Sequence, residues 1–204
     1  MKYSRTRPPT DRKLSNQLLL AGWKKLKEPT NLGMAIVQSV PFMLINGLIF
    51  MVIAFYLYPP LKELLNSKHG FSFNFEINAH LLMQIAAVFI FMAIHELLHA
   101  CFIPNVLKSN KTFLGINGLI GFVSTTESIK KSRFIIISIA PLILLSVILP
   151  FVLSVFGLLS VFTLFLCLIN AMGSCVDCLT TFNVATQVSR NSYVVSNGSE
   201  TYFK

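Results

Sequence analysis

Apolar positions in this chain fall in long uninterrupted runs, not in the alternating or three-to-four spacing of a water-soluble core. No charge occurs between Glu28 and Lys62, and none between Arg133 and Asp177. A helix needs roughly 20 apolar residues to cross a bilayer. The pattern predicts spanning helices over 34–58 and 79–103. The run from 134 to 176 is too long for one crossing, and Pro150 and Gly157 fall near its middle. It divides into a third helix over about 134–155 and a fourth over about 158–182. Pro41, Asn46 and Gly47 are candidate kink points in the first helix, and Tyr56 and Tyr58 suit an interfacial aromatic belt at its end.

The polar segments have characters of their own. Residues 1–31 are basic, and "DRKLSNQLLLAGWKKLK" mixes leucines and Trp23 with cations, as an interfacial helix or a helix packed on the protein would. Residues 59–78 make a polar connection with Pro59-Pro60 and His69-Gly70. Between 105 and 133, short alternating β-formers flank Asn117-Gly118, which predicts a β-hairpin followed by a basic stretch. The tail after Arg190 reads as polar and mobile. The expectation is an all-α polytopic membrane protein with about four transmembrane helices and a short β-hairpin between helices 2 and 3. Its parts are a basic segment over 1–31, one membrane domain over 32–185 and a polar tail over 186–204.

Composition agrees. Of 204 residues 54% are hydrophobic and 12% charged, against about 25% charged in a typical soluble domain. Mean hydropathy is +0.68. A net charge of +9 in a soluble protein would suggest nucleic acid. Here it reports topology and attraction to anionic lipid head groups, and no aromatic-interleaved basic motif supports nucleic-acid binding. Fifteen of the seventeen Lys and Arg lie in the amino-terminal segment, the 104–133 loop and the tail. The positive-inside rule therefore puts both termini and that loop in the cytoplasm. The acceptor-like triplets at Asn110 and Asn197 fall on that side and carry no weight. Cys101, Cys167, Cys175 and Cys178 sit in or beside apolar runs and read as small buried hydrophobes, not a disulfide framework.

Inside the second apolar run stands "AIHELLHACF". His95 and His99 are four apart, so a helix sets them about 40° apart on one face. This is H-E-x-x-H, in which two imidazoles bind Zn²⁺ and the glutamate between them, here Glu96, is general base. An ionisable group at the centre of a membrane helix costs about 2.5–3.5 kcal/mol on insertion scales, which makes three in this spacing a functional candidate. Zinc hydrolases usually supply three protein ligands. Asp177 is the only charged residue between Arg133 and Arg190. Helix capping or helix–helix hydrogen bonding is its plainer role. Counting about 1.5 Å per residue from each helix midpoint, the histidines lie about 9 Å and Asp177 about 10 Å towards the cytoplasm. The three can meet.

Other polar residues are weaker candidates. The Asn170 amide can contact a substrate backbone or an oxyanion, or else hold a neighbouring helix. Cys175 and Cys178 have C-x-x-C spacing but suit helix packing. Glu127 lies in the basic loop and reads as solvated, whereas His80 and His69 lie too far towards the opposite face.

The membrane-embedded "HELLH", the hairpin-like segment, "APLILL" and "NAMGSCVD" together resemble a family of bacterial membrane proteins described as zincin peptidases. More distantly they are similar to site-2-type intramembrane metalloproteases. The resemblance covers about residues 80–182. It implies a zinc-dependent peptidase of the bacterial plasma membrane with ligands His95, His99 and Asp177, and Glu96 as base. It also implies that the hairpin over 111–127 presents an extended substrate strand. Cys178 follows Asp177 where site-2 enzymes carry Gly, and the spacing from Asn170 is one residue shorter than theirs. The expected activity is peptide-bond hydrolysis in a membrane protein or peptide, near the cytoplasmic face. The rival reading is a non-catalytic metal-binding pseudo-protease, and a third keeps the hydrolase but gives it a lipid or prenylated-peptide substrate.

Overall fold

The computed structural model describes residues 2–6, 8–66, 78–117 and 120–204. Strand β1 (Lys2–Ser4) leads to helix α1 (Arg12–Leu20), strand β2 (Lys24–Lys25) and the long helix α2 (Leu32–Leu57). Asp11 caps α1 by accepting the Lys13 and Leu14 amides, and Asn31 caps α2 by accepting that of Met34. Helix α2 continues through Pro41 without ending. A short helix α3 (Pro59–Asn66) follows, so the 59–78 connection is partly helical. His69 lies outside the described residues.

Helix α4 (Ala79–Phe102) starts at the Asn78 cap and carries the histidine motif. Strands β3 (Thr112–Asn117) and β4 (Ile120–Thr125) then pair antiparallel, with Asn117 opposite Ile120. The hairpin is where the alternation predicts it, and Gly118 of its turn lies outside the described residues. Strand β1 adds parallel to β3, giving the order β1-β3-β4, with β4 at an edge. The approach is close at Gly115, where a Cβ would collide with the Ser4 carbonyl oxygen, so no side chain fits there.

The third long helix is composite. Strand β5 (Ile129–Lys130) runs into helix α5 (Lys131–Ile143), which widens into a π-helical turn at Leu144–Ile148 and continues as α6 (Leu149–Val155). It ends at Gly157, whose φ of +67° lets the Gly157 and Leu158 amides turn back to the Ser154 and Leu153 carbonyls. Pro150 lies within α6, so the break falls at the glycine alone. The fourth long helix is α7 (Val161–Gly173), started by a Ser160–Thr163 capping box and interrupted at Ser174, then α8 (Cys175–Gln187).

Among the described residues, four helices are long and apolar enough to cross a membrane: Leu32–Leu57, Ala79–Phe102, Lys131–Val155 and Val161–Gln187. Their outward faces are apolar and open, with Leu48 at 68%, Val52 at 70% and Leu82 at 63% exposure. An apolar surface of this kind suits lipid, not water. Inside, α2 and α7 share a core of Phe50, Ala54, Leu164, Cys167 and Ala171. Arg133 donates to the last carbonyl of α4 (Phe102, 2.9 Å), and Lys131 donates to the Ala185 and Val188 carbonyls at the end of α8. Cations at two helix C-termini lock the start of α5 against both.

The tail is not a loose end. Strands β6 (Tyr193–Asn197) and β7 (Glu200–Phe203) form a hairpin, and a second sheet runs β2-β7-β6-β5, antiparallel throughout. Val194, Val195 and Tyr202 are buried in it. Helix α1 turns Leu14 and Leu18, with Trp23 just beyond it, onto Val195 and Tyr202. Its Leu14–Leu18 side therefore faces the protein, whereas Leu19 and Leu20 stay exposed. The expected all-α fold thus gains two small sheets. The second joins the amino-terminal segment, the middle loop and the tail, the three segments that the charge distribution assigns to one side.

Candidate metal centre

His95 and His99 lie one turn apart on α4, and Asp177 sits in the first turn of α8. The break at Ser174 gives α8 its own amino terminus, where the helix dipole favours the carboxylate. Asp177 Oδ2 is 3.4 Å from His95 Nε2 and 3.6 Å from His99 Nε2, and the two Nε2 atoms are 3.1 Å apart. Among the described residues these three form the one group of His, Cys, Asp or Glu side chains placed to hold a metal ion.

The other ring nitrogens define the tautomers. His99 Nδ1 donates to the Ile137 carbonyl at 2.7 Å. His95 Nδ1 donates to Asn170 Oδ1, also at 2.7 Å. The orientation of that amide is set by its nitrogen, which donates to Ser146 Oγ at 2.7 Å and to the Pro141 carbonyl at 3.2 Å. Both rings therefore carry the proton on Nδ1 and turn the Nε2 lone pair inward. Two lone pairs and a carboxylate oxygen aimed at one point repel each other unless a metal ion or a proton lies between them.

Zn²⁺ fits this donor set. Tetrahedral zinc with bonds of about 2.0–2.1 Å sets its ligand atoms about 3.3–3.4 Å apart, and the three edges here bracket that spacing. Imidazole and carboxylate are ordinary zinc ligands. His95 is 5% exposed, whereas the Asp177 side chain is 29% exposed, so the cluster opens on the aspartate side.

Glu96, beside the first histidine, faces the hairpin. A Cβ on Gly121 of β4 would lie 2.9 Å from Glu96 Cγ. The glutamate is thus held between the helix that carries both imidazoles and the edge strand of the sheet.

Of the two roles open to Asn170 in the sequence, the contacts match the one that holds neighbouring helices. Asn170 is fully buried, and both ends of its amide are engaged with His95, Ser146 and Pro141. Cys175 Sγ accepts the Ser39 hydroxyl at 3.2 Å and Cys178 Sγ accepts the Asn46 amide at 3.4 Å, so both thiols face α2. Glu127 accepts the Ser109 hydroxyl at 2.8 Å, with Lys111 at 4.0 Å, and is partnered, not merely solvated. His80 pairs with Gln84 at the far end of α4. Sequence reasoning does not reach Ile137, Pro141, Ser146 or Gly121. A proline within an apolar helix is the available signal for the first three.

A family model described as "Putative zincin peptidase" matches residues 88–193, which takes in α4 from Val88, both hairpin strands, α5 to α8 and the metal cluster. The chain belongs to that family. No curated protein and no solved structure matches it.

Proposed function

We propose that the protein is a membrane-embedded zinc metallopeptidase that hydrolyses a peptide bond in a membrane protein or peptide. The observation that carries this is the convergence of His95, His99 and Asp177 lone pairs on one point, with Glu96 beside them against an edge strand. Zinc, when bound there, supplies Lewis-acid polarisation of a carbonyl and lowers the pKa of water. His95, His99 and Asp177 hold it. Glu96 takes the proton of the attacking water on its carboxylate and delivers it to the departing amine.

Among the described residues strand β4 has a partner on one side only, and its Gly121 touches Glu96. A substrate segment in extended form, added to that edge, would run past the base. This supports a peptide over a lipid substrate, since main-chain pairing needs amides. The four long apolar helices support a multi-pass protein of the bacterial plasma membrane. Both termini are cytoplasmic in this reading, supported by the cation distribution and by the sheet that unites three basic segments.

The test is Glu96→Gln in purified protein. Zinc content should stay at the wild-type level while cleavage of a membrane substrate falls to background. Comparing membrane proteomes of cells with active and Glu96→Gln protein would supply that substrate. Undiminished cleavage by the variant would remove the mechanism, and zinc retained by a wild-type protein that cleaves nothing would favour a metal-binding pseudo-protease.

A further inference from the structure

We propose that Pro141 is a positioning residue of the metal site, acting through a gap that it opens in its own helix. A proline has no N–H, so the carbonyl four residues earlier loses its helical donor. For Pro141 that carbonyl belongs to Ile137, and it is the one that receives His99 Nδ1 at 2.7 Å. The Pro141 carbonyl in turn accepts from Asn170 Nδ2. Three residues on, the helix widens into the π turn of Leu144–Ile148, where the Leu149 amide reaches back to the Leu144 carbonyl. Ser146 in that turn accepts the same Asn170 nitrogen at 2.7 Å and donates to the Cys167 carbonyl at 2.9 Å.

One irregular stretch of helix therefore orients both imidazoles. The freed Ile137 carbonyl holds the His99 ring, and the Pro141 carbonyl with the Ser146 hydroxyl holds the amide that holds His95. Partners of this kind fix the tautomer and direction of a ligating histidine. π turns occur mostly where function repays their irregular geometry. None of Pro141, Ser146 and Asn170 touches the metal position. The inference rests on the metal-site reading above.

Its test separates positioning from packing, because proline suits a helix interior worst of all residues and alanine best. In Pro141→Ala the new N–H competes for the Ile137 oxygen. Zinc affinity, measured against a chromophoric chelator, should fall about tenfold. The metal-free protein should meanwhile unfold at the same temperature or higher. A structural role predicts unchanged affinity. The Co²⁺ absorption spectrum should shift as well, reporting a rotated ligand ring.

Ser146→Ala and Asn170→Leu ask the same question on the His95 side, should Pro141→Ala fail to accumulate. Asn170→Leu should lose about 10- to 100-fold in zinc affinity. Ser146→Ala should lose less, and the double variant no more than Asn170→Leu alone. Wild-type affinity in Pro141→Ala, or additive losses in the double variant, would overturn the inference while leaving the metal site standing. A wild-type protein that binds no zinc would overturn the metal-site reading itself.

Discussion

Gly121 and Glu96 touch so closely that the smallest side chain at 121 would place its Cβ 2.9 Å from the glutamate Cγ. A hairpin strand thereby sets the position of the proposed base, and the absence of a side chain at 121 is what leaves Glu96 its room.

Gly121→Ala should accordingly push Glu96 aside without touching the ligands. A misplacement on the order of 1 Å in a reacting group can cost roughly 100-fold in rate. Cleavage should drop by about 10- to 100-fold with zinc content unchanged. Equal cleavage by the variant would mean that Glu96 does not depend on the strand.

Chelation gives a second prediction. Two imidazole nitrogens and a carboxylate are held together at 3.1–3.6 Å, an arrangement that a metal ion between them favours. Free zinc at about 100 times its dissociation constant would stabilise the fold by about 2.7 kcal/mol. Stripping the metal should therefore lower the unfolding temperature of the wild type, and Asp177→Asn should show no further drop. Identical curves with and without chelator would count against a bound ion.

The terminal sheet makes a prediction in pH. Glu200 accepts from Lys25 at 2.6 Å, from Tyr202 at 2.6 Å and from Ser15 at 3.1 Å. Its carboxyl is held below the ordinary value of 4.5, first by the Lys25 hydrogen bond and then by that of Tyr202. A folded pKa below the unfolded one means that the unfolded chain takes up the proton first. The stabilisation is therefore complete above about pH 4.5 and disappears as pH falls through the lowered value. With Lys25 half-exposed, the ion pair contributes under about 1 kcal/mol. Amide exchange in β6 and β7 should be faster in Glu200→Gln than in wild type at pH 7, and the difference should close in acid. Glu28 acts in the opposite sense. Burial raises its carboxyl against the hydrogen bonds it accepts from Thr201, so what its protonated form contributes is present in acid and lost as pH rises.

Much of this architecture is legible in the amino-acid sequence. Long apolar runs mark the four long helices because a bilayer-crossing segment must be predominantly apolar, and H-E-x-x-H carries its own geometry on a helix. Asp177 can be matched to the histidines because rise per residue converts position into depth. The terminal sheet is harder to read. Its strands are two to five residues long, and β2 pairs with β7 across almost the whole chain while β5 pairs with β6 across the last two long helices. Periodicity is silent on such distant partners, although Asn197-Gly198 between β-formers is the same turn signal that marks the first hairpin. For Asn170 the sequence leaves substrate contact and helix holding both open, because a side chain's partners on other helices leave no trace in its own neighbourhood. The helical hydrogen bond that Pro141 leaves unmade is visible in sequence, but that His99 takes it up is visible only in three dimensions.

The central claim, one zinc ion held by His95, His99 and Asp177, is tested most directly by metal stoichiometry. Purified wild-type protein and Asp177→Asn would be dialysed against the same weak chelator and their zinc counted by mass spectrometry. The account predicts about one zinc per wild-type chain and a variant largely emptied, since two imidazoles alone fall short of the usual three protein ligands. A wild-type chain without zinc, or a variant that keeps it, would contradict the account.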